Sequence, residues 1–419
     1  MEAHLKYLSS GEAAHLLGVR KATLYSYVSR GLIQSFDGKD RRERQFRRTD
    51  IERLARSQLG KRKPKQAARS ALDWGLPVME SSLSLIEHGQ LYYRGVALTA
   101  LLPHAHLEDV AQLLWQFPKP VSPPPRMPPH LSLRWQRMAK AMADQSPFER
   151  MLPLFTLGQA ELDWQDESQA AHGLLKLMAA CMLGSKTSDL PLHLQCAAAW
   201  KLDVRGTAMV NTALLCCADH ELNASSFTAR CIASTGVGTG DAIIGALAAL
   251  RGPLHGGYTE RIETLFDELA VSTSLRHTLE CKLDAYGNLP GFGHPLYPDG
   301  DPRAIALLSG LPPNRTLARV LSTARQLCGQ APSMDFALVA VRRCLGLPRG
   351  AAFGLFALAR TVGWIAHILE QRRGKALIRP RASYVGPQPL AASASSGRII
   401  RSGRNPVLRD GKPVRDFSG

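Results

Sequence analysis

Most of the chain shows the apolar spacing of amphipathic helices. Between residues 71 and 387 the sequence is dominated by Ala- and Leu-rich stretches with few β-branched runs. Apolar residues that recur every three or four positions form one face of a helix, so the pattern predicts a nearly all-α body. The clearest exception is Leu91–Val96, which predicts a short strand or turn. Residues 118–129 contain seven prolines and predict a surface loop.

The N-terminal residues predict a small helix-turn-helix domain at residues 1–60. Ser9 or Ser10 can cap a helix that has Glu12 in its first turn, where the helix dipole favours an acid. After a turn at Gly18–Val19, residues 21–28 predict a second, more polar helix. Two short helices joined by a glycine turn are typical of DNA-binding domains of this kind.

Positive charge is concentrated at the two ends of the 419-residue chain, whose net charge is +17. Residues 1–70 contain 17 Lys and Arg against 7 Asp and Glu, and residues 388–419 contain 6 against 2. Clustered basic residues attract polyanions, so a nucleic-acid partner is expected at the ends and not in the body. We expect residues 61–70 to form a basic linker, residues 71–387 the body, and residues 388–419 a disordered basic tail.

Other features narrow the class of protein. No run of 18 apolar residues indicates a membrane span, and the N-terminus shows no signal-peptide pattern, which together predict a cytoplasmic protein. The eight cysteines form no C-x-x-C pair, so neither a metal site nor disulfides are expected, and the thiols should be reduced.

Three short blocks in the second half place proton-transfer residues in turns. His255 lies within Gly252–Gly257, His294 follows a Gly-Phe-Gly turn, and Asp335 follows Ser333. Such turns let side chains reach a cleft, where two histidines and a carboxylate can take a proton from carbon while polarising an oxygen. Each residue alone also has a structural explanation, because a histidine in a glycine turn often only packs and Asp335 could cap a helix.

In their order and in their residues, these blocks resemble the active-site segments of bacterial citrate synthases. Residues 218–225, and residues 357–367 with their continuation at 379–381, strengthen the resemblance. The family fold implies a large helical domain and a smaller helical domain, here at about 256–345, that closes over the substrate. Residues 1–60 resemble the winged helix-turn-helix domains of MerR-type regulators and phage excisionases, which implies a basic wing at 39–48 and a closing helix from residue 49.

The resemblance implies an acyltransferase that condenses acetyl-CoA with oxaloacetate and water, giving citrate and CoA in the tricarboxylic acid cycle. Asp335 matches the base that takes a proton from the thioester methyl group. His255 matches the group that polarises the thioester, and His294 the group that polarises the ketone. The resemblance implies a homodimer, acetyl-CoA as co-substrate, and no metal or bound cofactor. Further positions match residues that bind oxaloacetate: His220, Asn223, Arg303 and Arg379.

Departures from the family pattern leave the substrate open. Residues 295–300 contain Asp299 and no basic residue, where relatives have bases near the CoA phosphates, and Cys217 stands where many relatives have a histidine. Propionyl-CoA, giving 2-methylcitrate, is therefore an alternative acyl donor. A second alternative is a transcription regulator that uses the fold as an acyl-CoA or carboxylate sensor. In some relatives an arginine of the partner subunit completes the site, and the basic tail gives no basis for choosing one.

The helix-turn-helix resemblance also assigns residues to DNA, one group facing the major groove and the other contacting phosphates. The alternative is a basic surface that contacts only protein. The major-groove group is Arg20, Lys21, Thr23, Tyr25 and Ser26, and the phosphate group is Arg41, Arg42, Arg44, Arg47 and Arg48.

Overall fold

The computed structural model describes residues 7–17, 19–29, 33–37, 44–47, 51, 79–117, 131–164, 166–382 and 384–387. Its contacts divide the chain into two compact units, Met1–Ile378 and Arg379–Gly419. The proline-rich segment, the basic linker and the basic tail lie outside the described residues. The loop, the linker and the disorder expected there stay predictions, and so do the domain boundaries.

The described part of the N-terminal domain combines a small antiparallel sheet with two helices. The strands are β1, Tyr7–Ser9, β2, Ser35–Asp37, and β3, Arg44–Arg47, and they lie in the order β1-β3-β2. The helices are α1, Ser10–Leu16, and α2, Lys21–Ser29. Strand β3 lies within the expected wing, residues 39–48, and β2 lies just before it. The wing tip and nearly all of the closing helix lie outside the described residues.

A capping box fixes the start of α1. The Ser9 Oγ accepts the Glu12 N–H at 3.3 Å, and the Glu12 carboxylate accepts the Ser9 N–H at 2.8 Å. This reciprocal pair satisfies two backbone donors and decides between Ser9 and Ser10 as the cap. Leu24 and Phe46 are fully buried in a core that belongs to this domain.

The body begins with a hairpin and continues as helices, which confirms the prediction of a nearly all-α fold. Strands β4, Ser84–Glu87, β5, Gln90–Tyr93, and β6, Val96–Ala97, pair in that order. The segment Leu91–Val96, expected to be a short strand or turn, contains most of β5, the start of β6 and the turn at Arg94-Gly95 that joins them, where both residues have positive φ.

The helices of the body then follow in sequence as α3 to α17. Their bounds are Leu98–Leu101, Leu107–Trp115, Leu133–Ala141, Pro147–Ala160, Glu167–Leu183, Leu192–Trp200, Val204–Cys217, Ala224–Ala233, Thr239–Leu250, Tyr258–Val271, Leu275–Tyr286, Pro302–Gly310, Arg315–Cys328, Met334–Cys344 and Ala351–Gly374.

The last helix, α17, forms the centre of the body. It packs against α4, α6, α7, α9, α10, α11 and α16. Its composition and length would allow it to cross a membrane, but its apolar window is wholly buried inside the protein. A helix that is apolar on all sides is typical of a protein core. Any polar side chain on α17 therefore needs a partner within the body.

Backbone contact joins α17 to the loop after α9. The Gly363 N–H donates to the Ala218 carbonyl at 3.0 Å. A Cβ at Gly363 would lie 2.5 Å from that oxygen, so only glycine permits this approach. The loop that begins at Ala218 carries His220, and α17 therefore fixes the place of a predicted site residue.

Candidate active site

His255 lies in the turn between α11 and α12 and is held by the first turn of α10. Its Nε2 is 2.9 Å from the Ser225 Oγ. That oxygen also receives the indole N–H of Trp364 at 3.1 Å, and the Ser225 hydroxyl donates to the Asn223 Oδ1 at 2.8 Å. Asn223 is the N-cap of α10, and its Oδ1 already accepts the backbone N–H groups of Ser225 and Ser226, each at 3.1 Å.

This network holds the His255 ring at its Nε2. The Ser225 Oγ accepts from a protonated Nε2 while its own proton goes to the Asn223 Oδ1, and it can turn that proton to Nε2 when the ring proton lies on Nδ1. Burial, and then the charge of Arg360, lower the pKa of His255 to about 4, so the ring is neutral at pH 7. A neutral ring with its proton on Nδ1 is a hydrogen-bond donor for a substrate oxygen.

An isolated β-bridge brings the second and third sequence blocks together. Phe292 pairs with Pro332, with hydrogen bonds of 2.8 Å from the Gly293 N–H to the Ala331 carbonyl and from the Ser333 N–H to the Gly291 carbonyl. Both glycines have positive φ, near 85° and 82°. Without these conformations the chain could not turn tightly enough to place His294 beside the start of α16.

His294 is also neutral, and its tautomer follows from a backbone hydrogen bond. Its Nδ1 accepts the Leu296 N–H at 3.2 Å, which leaves the ring proton on Nε2. Burial and the nearby Arg303 lower its pKa to about 4, although the Asp301 carboxylate opposes this shift. The His294 ring meets the His220 ring edge-on, with centroids 5.3 Å apart.

Asp335 lies in the first turn of α16, where Ser333 is the N-cap. This geometry removes the structural explanation that Asp335 itself caps the helix. Its Oδ1 is covered and has no hydrogen-bond partner among the described residues. Burial raises the pKa of Asp335 to about 6, with Arg303 opposing the shift and Asp301 adding to it. A partly buried carboxyl that titrates near neutral pH is suited to general base chemistry.

His220 is a buried residue that pairs with Tyr297, a contact that the sequence did not indicate. The His220 Nε2 and the Tyr297 hydroxyl are 3.0 Å apart. Burial, followed by Arg303 and Arg360, holds the pKa of His220 well below its usual range, while burial raises the pKa of Tyr297. Both groups are therefore neutral at pH 7. The pair offers polar groups to a ligand without adding charge.

Arg303 is buried in a bidentate ion pair. Its Nε and Nη2 donate to the two oxygens of Asp301 at 2.9 and 2.7 Å, and both side chains are nearly inaccessible. Burial alone would lower the pKa of Arg303, but the Asp301 charge raises it overall. The remaining nitrogen, Nη1, donates to no described residue. It is free to bind one oxygen of a substrate carboxylate.

Arg360 is a second buried guanidinium, and sequence reasoning missed it. It is 1% exposed, its Nε donates to the Cys217 carbonyl at 2.9 Å, and it lies over the Phe356 ring at 5.0 Å. Neither Nη1 nor Nη2 donates to a described residue. Its charge acts on His220, His255 and Asp335. Arg360 lies within residues 357–367, a segment that resembles the family, but only its burial marks it as functional.

Two further predicted site residues are Asn223 and Arg379. Asn223 acts on the site through Ser225, and its direct contact with substrate stays a prediction. Arg379 is exposed and begins the second compact unit, so its role in substrate binding also stays a prediction.

His367, for which no site role was predicted, is fully buried and faces Asp219, with 3.3 Å between its Nε2 and the Asp219 Oδ1. Within the described residues, no group of three or more potential ligands is arranged for a metal ion.

The predicted DNA-contacting residues are described only in part. On α2, Lys21 and Tyr25 are exposed, as is Arg20 just before the helix, whereas Thr23 and Ser26 are half-buried. On β3, Arg44 and Arg47 are exposed, and the Arg47 guanidinium lies 4.9 Å from the centre of the Phe36 ring. The other three predicted phosphate contacts lie outside the described residues: Arg41, Arg42 and Arg48.

The body thus contains a cluster of neutral imidazoles, buried guanidinium groups and one titratable carboxyl, a class of site suited to proton transfer on a bound carboxylate. Residues 133–381 match the citrate synthase family in its C-terminal domain. The match covers more than half of the chain, which therefore belongs to the citrate synthase family. Residues 7–59 match a helix-turn-helix domain family. Both resemblances inferred from the sequence are confirmed.

Curated relatives include two enzyme names. The chain is 37% identical over 190 residues to citrate synthase 2 of Bacillus subtilis, covering 42% of this chain and 50% of that protein. It is 34% identical over 193 residues to 2-methylcitrate synthase of Shewanella oneidensis, covering 44% of this chain and 52% of that protein. The chain thus spans about half the length of these relatives, and the two names differ in acyl donor.

Solved structures share the fold. The citrate synthase of Thermotoga maritima superimposes with a TM-score of 0.62 at 25% identity, over 75% of this chain and 95% of that one. A ternary complex of Thermoplasma acidophilum citrate synthase with carboxymethyl coenzyme A and oxaloacetate gives the same TM-score at 24% identity. The second likeness supports the fold alone.

The raised pKa of Asp335 predicts a stability effect that depends on pH. A carboxyl that holds its proton more tightly when folded loses stability as the pH rises from about 4, the unfolded value, to about 6. We expect Asp335→Asn to increase the free energy of unfolding at pH 7 by about 1–3 kcal/mol, and to change it little below pH 4. Urea unfolding at several pH values measures this, with the exposed Asp299→Asn as control. A variant that is equally or less stable at pH 7 would contradict the assignment.

Proposed function

We propose that the body is a citrate synthase-type enzyme, an acyltransferase that condenses acetyl-CoA with oxaloacetate and water to give citrate and CoA. The observation that carries the proposal is Asp335, a carboxyl with a raised pKa whose Oδ1 has no hydrogen-bond partner among the described residues, in a cluster with two neutral histidines. Removing a proton from a thioester methyl group requires a base and a hydrogen-bond donor at the carbonyl at the same time.

Each of the three proton-transfer residues has its own role in the reaction. Asp335 takes a proton from the methyl carbon while His255, in the tautomer with its proton on Nδ1, donates to the thioester oxygen, so that an enol forms without full negative charge. The enol carbon attacks the ketone carbon of oxaloacetate, whose oxygen the Nε2–H of His294 polarises and then protonates. Water hydrolyses the citryl thioester and releases CoA, and this cleavage drives the reaction forward.

The charges of the site favour a dicarboxylate substrate. Arg303 and Arg360 are both buried, and only Arg303 has a carboxylate partner in direct contact, Asp301. Their unused nitrogen donors can bind the carboxylates of oxaloacetate in the planar geometry that guanidinium groups favour. The neutral His220 and Tyr297 add donors without charge. A bound dianion would thus bring a carboxylate into contact with Arg360, on which the buried Asp219 acts without direct contact.

The oligomeric state and the cellular location of the protein stay predictions. We expect a homodimer in the cytoplasm, with no resident cofactor and with acyl-CoA as the second substrate. The alternative class is a regulator that keeps the fold as an acyl-CoA or carboxylate sensor. The complete set of proton-transfer groups favours the enzyme, because a sensor needs binding groups and has no use for a base such as Asp335.

For the acyl donor, we expect acetyl-CoA to be preferred over propionyl-CoA. One methylene changes binding in a pocket by about 1–3 kcal/mol, so the preference can be modest. The kcat/KM values for the two thioesters, measured by release of the CoA thiol in the presence of oxaloacetate, decide the question. A tenfold preference for propionyl-CoA would make the protein a 2-methylcitrate synthase. Binding of oxaloacetate and acyl-CoA without turnover would favour the sensor.

For the base, we expect Asp335→Asn to keep less than about a tenth of the wild-type kcat while oxaloacetate binding stays nearly unchanged, since an amide keeps the shape but cannot accept the proton. The wild-type kcat should fall as the pH decreases through about 6, where the carboxyl becomes protonated. His294→Ala should impair both binding and kcat, because this side chain touches the ketone throughout. Thiol-release kinetics and calorimetry measure these effects. Normal turnover by Asp335→Asn would exclude the residue as the base.

We also propose that the N-terminal domain binds DNA. Lys21 and Tyr25 are exposed on α2, and β3 adds the exposed Arg44 and Arg47. Exposed basic and aromatic side chains on the second helix of a helix-turn-helix are those that reach base edges, while arginines on a wing contact phosphates.

We expect DNA affinity to fall steeply with salt, because arginines displace counterions from phosphates. Lys21→Ala and Tyr25→Ala should reduce the preference for one sequence, whereas Arg47→Ala should weaken all sequences about equally. Mobility shifts with DNA upstream of the protein's own gene and with random DNA test this, with Arg319→Ala on α15 as a charge-matched control. Absent or salt-insensitive binding would instead indicate a protein-contact domain.

A further inference from the structure

The hairpin at the start of the body presents two hydroxyl groups on one face. Ser84 on β4 and Tyr93 on β5 are directly paired across the strands. Side chains of directly paired residues project from the same side of a sheet. Tyr93 is fully buried and Ser84 is half-buried. Both hydroxyls are directed to the end of α9 and the loop that follows it.

Each hydroxyl bonds the backbone or side chains that flank His220. The Ser84 Oγ donates to the Asp219 Oδ2 at 2.6 Å and accepts the Glu221 N–H at 2.8 Å. The Tyr93 hydroxyl donates to the Leu215 carbonyl at 2.8 Å and accepts the Asp219 N–H at 3.5 Å. Ser84 therefore holds the residues immediately before and after His220, and Tyr93 holds the end of the helix that leads to it.

The loop needs such support because its conformation is strained. Glu221 has φ of 48°, a left-handed conformation that costs a non-glycine residue free energy unless its surroundings impose it. Its side chain is also held, since the Glu221 Oε1 accepts the Ile86 N–H at 3.2 Å. Asp219 is completely buried, and losing the Ser84 proton would leave its Oδ2 without a partner. The hairpin thus supplies contacts that the loop cannot make by itself.

We infer that Ser84 and Tyr93 are positioning residues that orient His220 for binding oxaloacetate. The inference rests on the proposed function of the body. It extends that function to a hairpin that precedes the part of the chain matching the family, residues 133–381. Neither residue touches the reacting atoms. They act through the loop, so their effect should appear in oxaloacetate binding and not in the chemical step.

The test removes each hydroxyl separately and compares it with a matched control. Ser84→Ala is compared with Ser82→Ala, which also takes a hydroxyl from a carboxylate, that of Glu370. Tyr93→Phe is compared with Tyr92→Phe, its neighbour on β5. We expect the oxaloacetate KM of Ser84→Ala to rise about tenfold, the effect of one lost hydrogen bond to a charged group. For Tyr93→Phe we expect a rise of about threefold to tenfold.

The pattern of kinetic changes separates positioning from a general loss of stability. The kcat and the KM for acyl-CoA should stay within about threefold of wild type in all four variants, and Ser84→Thr should restore oxaloacetate binding because it keeps the hydroxyl. If Ser84→Ala does not fold, Tyr93→Phe alone decides. If the wild type is active and the oxaloacetate KM is the same in the variants and in their controls, the inference is overturned while the proposed enzyme stands. A wild type that binds oxaloacetate without turnover would reject the proposed enzyme, and calorimetric affinities of the variants would then test the inference.

Discussion

The burial of two positive charges is the constraint on which the site depends. Moving a guanidinium from water into a protein is costly unless partners compensate it. Arg303 is compensated by direct contact with the two oxygens of Asp301, whereas Arg360 contacts one carbonyl, that of Cys217, and an aromatic ring, and Asp219 acts on it without direct contact. Burial and Arg303 keep both His220 and His294 neutral, and Arg360 adds to the effect on His220. A neutral imidazole can donate a hydrogen bond from one ring nitrogen at pH 7, and the two buried guanidinium groups favour an anionic ligand.

Helix α17 supports this arrangement with a single face. Arg360, Gly363, Trp364 and His367 are spaced at i, i+3, i+4 and i+7, so they share one side of the helix. That side contacts the Cys217 and Ala218 carbonyls, the Asp219 carboxylate and the Ser225 hydroxyl. Because α17 is surrounded by seven other helices, its position is rigidly set. Helix α17 therefore holds both the loop that carries His220 and the serine that orients His255.

Two kinds of local device then place the catalytic groups. Turns with positive φ at Gly291 and Gly293 allow the β-bridge that brings His294 to the first turn of α16, where Asp335 lies. Helix caps act at two other places. Asn223 and Ser333 bind the backbone at the start of their helices and leave the next residues free to face the cluster. The chemistry thus lies at the ends of helices, where backbone groups without helical partners can bind side chains.

The sequence by itself determined the helical fold class, the capped helix-turn-helix and the placement of His255 and His294 in turns, because periodicity, caps and glycine turns are local properties. Asp335, which was also expected in a turn, lies instead within helix α16, just after its N-cap. The sequence did not reveal the burial of Arg360, the Ser225 bond to His255, the Tyr297 bond to His220 or the Ser84 bond to Asp219. The serine and the aspartate of that last pair are 135 residues apart. Such partners meet only through the packing of distant elements, and burial, which shifts a pKa, exists only once the helices enclose the group. Tertiary structure therefore decided the protonation states and the supporting contacts of the site.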